Sequence, residues 1–187
     1  MLSAVLVAVV VLLSMVTGLN LLLTFGMIRR LRVHSEILRA GRSGAASNAD
    51  IMLPAGAWPA PFAGATTTAG EPLTRDDLRG VLVGFFAHDC DGCRRQLPEF
   101  VTLVRSLGRE RVVAVVVDGD ADANRATLAA LEPVARVVTE PHDGPLQRAF
   151  AVRGFPAMGV LDADGRVTGA TMAVTHLPAF LPDRLPS

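Results

Sequence analysis

Lysine and tyrosine are absent from this 187-residue chain, tryptophan occurs once and cysteine only twice. All 18 basic side chains are therefore arginine, and beside abundant Ala, Gly and Pro this reads as the mark of a high-GC genome, not of a binding surface. The formal net charge is zero and the later part of the chain has no basic cluster, so a nucleic-acid partner is excluded. A second C-x-x-C and a close His pair are also missing, which removes the four-ligand set that a structural zinc site needs. Charge is lacking altogether from Leu2 to Ile28. A run of about 27 such positions spans about 40 Å as a helix, more than the hydrocarbon core of a bilayer requires.

That run reads as an uncleaved transmembrane anchor. A cleaved signal peptide would show a basic leading region, a shorter apolar stretch and a small-residue cleavage site; here the lead lacks arginine, and Arg29-Arg30-Leu31-Arg32 follows the run. Ser14, Thr17, Asn20 and Thr24 inside the span are given no function, because isolated hydroxyls and amides in such helices are commonly satisfied by their own backbone. Arg29, Arg30, Arg32, Arg39 and Arg42 all lie after the span, which by the positive-inside rule puts the following domain in the cytoplasm and the arginines on anionic lipid headgroups.

The chain divides into an anchor over 1–28, a juxtamembrane stalk and linker over 29–53, and a domain over 54–187. Met52 to Thr68, with Pro54, Pro59, Pro61 and the lone Trp58, is expected to lie extended along the edge of that domain, with Trp58 and Phe62 as packing residues. From Pro72 the pattern alternates strand and helix, which predicts an α/β sheet with covered faces. Strands are expected over Val81–Phe86, Val112–Val117, Ala135–Val138, Ala157–Leu161 and Val167–Thr171, the last two as a hairpin around Asp162-Ala163-Asp164-Gly165. Helices are expected over Cys93–Leu107, from a cap at Asp120 or Asp122 to Leu131, and over Leu146–Phe150.

The two cysteines sit together as Cys90-Asp91-Gly92-Cys93, directly after the apolar run Val81–Phe86. A strand that delivers C-x-x-C to the first turn of a helix places the leading sulfur where unpaired N–H groups and the helix dipole favour its thiolate. That arrangement points to redox chemistry, with Cys90 as nucleophile and Cys93 as resolving thiol.

Several further segments agree with that chemistry in order and spacing: Pro59-Ala60-Pro61-Phe62, Leu73–Gly80 leading into the strand, Cys93-Arg94-Arg95-Gln96-Leu97-Pro98, Gly154-Phe155-Pro156 and Leu161–Val167. Together they resemble the thioredoxin fold over roughly Pro54 to Leu181, and within it the membrane-anchored TlpA, ResA and MauD group of thiol-disulfide oxidoreductases. The resemblance implies that Pro98 kinks the active-site helix and that Pro156 is a cis-proline facing the disulfide. The backbone of Phe155 is then free to pair with an extended substrate segment. It also implies a disulfide reductase without a bound cofactor, whose partners are a protein dithiol or disulfide substrate and an electron-donor thiol protein. The same resemblance argues for a domain on the outer side of the membrane, against the flanking arginines.

The chain departs from that group at several positions. Asp89 stands where an aromatic residue usually precedes the first cysteine, Gly84 where many thioredoxins carry a buried acid, and Gln96 where close relatives often carry glutamate. Proton transfer for Cys93 is left to water, His88, Asp89 or Asp91. His88 is expected to favour the Cys90 thiolate, or else to be a solvated loop residue, while Asp89 and Asp91 oppose it by like-charge repulsion. Three rival functions share the fold. A peroxiredoxin needs a hydroxyl where Ala87 stands; a copper-delivery protein would recruit His142 or His176; a tethered binding module would keep an inert disulfide. The tail from Met172, broken by Pro178, Pro182 and Pro186, predicts an abbreviated closing helix whose edge Trp58 and its neighbours cover.

Overall fold

The computed structural model describes residues 51–119 and 121–181, together with Leu13, Met15 and Thr17. Contacts divide the chain into Met1–Ala46 and Ser47–Ser187. In the first unit the three described residues are helical, and the Thr17 hydroxyl donates to the carbonyl of Leu13 at 2.8 Å, the self-satisfied bond expected of a hydroxyl in an apolar helix. No helix among the described residues is long and apolar enough to cross a membrane. The expected anchor over 2–28 and the arginines after it otherwise lie outside the described residues.

In the second unit five strands form one mixed sheet: β1 (Leu82–Ala87), β2 (Val112–Val117), β3 (Arg136–Glu140), β4 (Ala157–Leu161) and β5 (Val167–Thr171), in the order β3-β2-β1-β4-β5. β1, β2 and β3 run parallel, while β4 pairs antiparallel with β1 and β5 with β4. Every residue of β2 is buried, which is why Val112–Val117 reads as an unbroken apolar run: a parallel strand inside a sheet has covered faces on both sides. Alternation sorts β1 between the two cores. Val83 and Phe85 join Val113, Val115, Val138 and Phe150 on one face, and Leu82 and Phe86 join Phe100, Val104, Val116 and Leu131 on the other.

Three helices complete the domain: α1 (Asp91–Val104), α2 (Ala121–Leu131) and α3 (Pro145–Ala149). α1 begins two residues earlier and stops three earlier than expected, because Cys90 is itself the N-cap and the chain leaves the helix at Arg105. On α1, Phe100 and Val104 are fully buried, whereas Leu97 and Val101 are half-buried against the same cluster. Pro98 lies inside α1. Asp122 falls within the first turn of α2, where it pairs with Arg125, and Asp120 lies outside the described residues. The β4–β5 hairpin has the expected bounds, and Gly165 takes a φ of +85° in its turn, a conformation that L side chains resist.

The segment before β1 follows the sheet edges. Thr67 bridges Val138 of β3, and the Gly56 and Val167 backbones bond at 2.7 Å along β5. Ile51 and Met52 are buried in the core with Phe62 packed against it. Trp58, expected as a packing residue on the domain's edge, is 46% exposed, with the Arg166 guanidinium 4.1 Å above its ring. Among the described residues the tail forms a 3-10 turn over Val174–Ala179, with Leu177 buried and Phe180 packed over Gly169.

Gly84 lies mid-strand, and a Cβ there would come within 3.0 Å of both Phe100 Cζ and Phe86 Cε2. The two rings meet edge to face at a 5.0 Å centroid separation and occupy the space a side chain would need. Gly84→Asp is expected to lower the unfolding free energy by about 3 kcal/mol, since it adds both overpacking and an unpaired buried carboxyl, and Gly84→Ala by about 1 kcal/mol. Denaturant midpoints of the two variants check the order.

Candidate active site

The in-register pairing of Ala87 with Val117 and of Val117 with Glu140 brings three loops to one end of the sheet. They are His88-Asp89-Cys90 after β1, Asp118-Gly119 after β2, and Pro141-His142-Asp143 after β3. Phe155-Pro156 reaches the same end, because Ala157 at the start of β4 pairs with Phe85 near the end of β1. Loops beyond the carboxyl ends of parallel strands are where α/β sheets collect their functional groups.

Cys90 and Cys93 form a disulfide with their Cα atoms 5.2 Å apart. Cys90 is half-buried in extended backbone (φ −101°, ψ 107°), and its sulfur accepts the Cys93 N–H at 3.1 Å, where a serine or aspartate would normally cap a helix. Cys93 is 4% exposed, buried among the residues around Phe86 and Phe100. The accessible sulfur therefore sits on the helix N-terminus and the hidden one a turn behind it. That asymmetry separates an attacking thiol from a resolving one.

The Phe155-Pro156 peptide is cis. A Cβ placed on Gly92 would lie 3.2 Å from Pro156 Cδ, 3.7 Å from Cys90 Sγ and 3.9 Å from the Phe155 carbonyl oxygen. Gly92 thus marks a place where proline ring, leading sulfur and Phe155 backbone converge, and any larger residue would fill it. Phe155 is half-buried, packed against both cores.

The remaining predicted residues divide. Asp91 opens α1 and pairs with Arg94 one turn on, at the helix end that favours a carboxylate. Asp89 is exposed. His88 is exposed too; its backbone N–H bonds to Val117 at 3.0 Å and its ring lies against Gly119, where an added Cβ would approach its Cγ to 2.9 Å. These contacts are with the loop after β2. Gln96 accepts the Val174 N–H at 2.9 Å and so ties the C-terminal turn to the active-site helix. Among the described residues no group of three or more His, Cys, Asp or Glu side chains is placed to hold a metal ion.

Sequence reasoning missed Asp118 and saw His142 only as a copper ligand. Asp118 has a φ of 57°, accepts the His142 N–H at 2.8 Å and holds a carboxylate oxygen 3.8 Å from His142 Nδ1. The His142 ring lies 6.3 Å from that of Phe155. An Asp-Gly directly after a fully buried strand was the available signal, since that pair marks a sharp turn at the strand end where loops gather.

Residues 79–167 match the Thioredoxin-like family. No curated protein matches the chain. Among solved structures, a thiol:disulfide interchange protein of the thioredoxin family from Chlorobium tepidum is 23% identical, with 66% of this chain and 93% of that one aligned at a TM-score of 0.52. The thioredoxin domain of a Bacteroides vulgatus thiol-disulfide oxidoreductase is 18% identical, covering 70% of this chain and 99% of that one at 0.55. A secreted Mycobacterium tuberculosis disulfide oxidoreductase, homologous to Escherichia coli DsbE, is 22% identical, covering 63% and 92% at 0.50. At these identities the likeness establishes the fold. Proline at residue 156, the C-x-x-C helix cap and the mixed five-stranded sheet together make residues 51–181 a thioredoxin-like domain whose structural neighbours are thiol-disulfide oxidoreductases.

Proposed function

We propose that the protein is a membrane-tethered thiol-disulfide oxidoreductase that reduces disulfides in protein clients. The observation that carries this reading is the paired sulfur geometry: Cys90 half-buried on the helix N-terminus beside Pro156, Cys93 buried and already bonded to it. In the reduced protein the Cys90 thiolate attacks one sulfur of a client disulfide. A Cys90–client sulfur bond forms, the client bond breaks, and the leaving thiolate takes a proton from water. Cys93 then loses its proton to water and attacks the Cys90 sulfur, closing the Cys90–Cys93 disulfide and releasing the second client thiolate, which is protonated in turn. The client gains two electrons and two protons; a donor thiol protein returns them to the Cys90–Cys93 pair by the same exchange in reverse. No bound cofactor enters the cycle.

Each cysteine has a distinct expected phenotype. Cys90→Ser abolishes turnover, whereas Cys93→Ser still attacks and accumulates the mixed disulfide, visible as an adduct of client mass on a non-reducing gel. An adduct formed by Cys90→Ser and absent from Cys93→Ser reverses the assignment.

Direction is read by potential. Equilibrating the full-length protein in defined thiol-disulfide buffers and counting alkylated thiols by mass should give a midpoint near about −270 mV, the thioredoxin range; one near about −120 mV makes the protein an oxidant instead.

The uncharged run over 2–28 supplies the tether in this reading, with 29–53 as stalk and linker and 54–187 as the catalytic domain; about 27 apolar residues suffice to span a bilayer. Deleting residues 2–28 is expected to move the protein from the membrane to the soluble fraction after high-salt and carbonate washing. Retention in the pellet removes the anchor from the proposal.

A further inference from the structure

Resting on the oxidoreductase reading, we propose that His142 is a specificity-determining residue that, positioned by Asp118, extends the Phe155 edge of the site so that it takes extended polypeptide disulfides in preference to small ones. His142 is exposed at the end of the sheet that carries Cys90, yet its place is fixed from three sides. Asp118, in a left-handed conformation, accepts its backbone N–H at 2.8 Å and faces its Nδ1 at 3.8 Å. The Phe155 ring lies 6.3 Å away at an angle of 58°, within the range of paired aromatic rings. The loop that carries it is bolted down by Glu140, which is 7% exposed and accepts N–H bonds from Leu146 at 3.0 Å and from the backbone and side chain of Gln147 at 2.9 and 3.0 Å. Gln147 Nε2 also donates to the Pro141 carbonyl at 2.8 Å, and a Cβ at Gly144 would strike the Glu140 side chain.

A solvent-facing side chain ordinarily stays free, and ordering one costs conformational entropy. Here the backbone of His142 is held by Asp118 and its ring is confined between Asp118 and Phe155 before any client arrives, and preorganisation of this kind lowers the cost of binding. Asp118 faces Nδ1, and the ring lies beside the half-buried Phe155, whose carbonyl oxygen and the Cys90 sulfur both come close to Gly92. A polypeptide laid along the Phe155 backbone, with its cystine at Cys90, passes this imidazole. A disulfide with no chain on either side of its sulfurs does not reach it.

The test compares two substrates in the full-length protein: a synthetic peptide with one cystine in an extended segment, and hydroxyethyl disulfide. In His142→Ala the KM for the peptide is expected to rise about fivefold with kcat retained, the size of one lost hydrogen bond, so that the peptide-over-small-disulfide ratio of kcat/KM falls by the same factor. Asp118→Asn, which tolerates the left-handed backbone, should lower the ratio in the parent protein and lower it no further in His142→Ala, since Asp118 acts through the imidazole. A ratio unmoved by His142→Ala, an equal loss on both substrates, or additive losses in the double variant overturns the proposal. Absence of turnover on both substrates by the unaltered protein instead overturns the oxidoreductase reading, and this proposal with it.

Discussion

The sulfur of Cys90 takes the N-cap position of α1, where it accepts the Cys93 N–H that would otherwise stand unpaired. A helix N-terminus has donors to spare and partial positive charge, so a thiolate gains there what a neutral thiol does not. Placing that terminus depends on the strand before it and the helix behind it. β1 runs through the middle of the sheet, Phe86 and Phe100 interlock between β1 and α1, and Val104 closes the same cluster. The aromatic contact thus fixes how far α1 stands from the sheet, and with it the distance of Cys90 from the Phe155-Pro156 loop that faces it across Gly92.

That construction explains why Gly84 carries no side chain. The Phe86 and Phe100 rings already fill the pocket beneath Cys93, so packing and an acid compete for one volume and the aromatic pair has won it. Gln96 shows a similar exchange. On the active-site helix its amide oxygen accepts the Val174 N–H, a bond between residues 78 positions apart that pins the short C-terminal turn in place of a longer closing helix. Both positions where an acid was expected serve cohesion, one through apolar contact and one through a hydrogen bond.

Much of this was legible in the chain itself. The buried run Val112–Val117 and the hairpin around Gly165 are local patterns whose physics acts within a few residues, and their bounds hold in the structure, while the apolar strand before the cysteine pair, expected over Val81–Phe86, runs one residue later over Leu82–Ala87. The expected start of α1 at Cys93 falls two residues late, because the helix begins directly after Cys90, whose sulfur caps it. The partner of Trp58 was not legible, because Arg166, which sets its guanidinium over the ring, lies more than a hundred positions away in the chain. The Asp118–His142 contact, across 24 positions, depends on the parallel pairing of β2 with β3, which no periodicity reveals.

The resolving step carries the cost of the aromatic packing. Cys93 is 4% exposed and packs in the apolar cluster of Phe86 and Phe100, so its proton has to be given up from a buried position. Burial among apolar groups disfavours a thiolate, while the N-terminal donors of α1 favour it, and only the second influence is shared between the two sulfurs. When Cys90 is bonded to a client, its sulfur no longer competes as an anion for the Cys93 N–H and the helix-end charge. The environment that had favoured the Cys90 thiolate then becomes available to Cys93, at the moment when Cys93 has to ionise. In the proposed cycle the ionisation of Cys93 is in this way assisted by the completion of the step before it, and the proposed order of the two sulfurs rests on their depth.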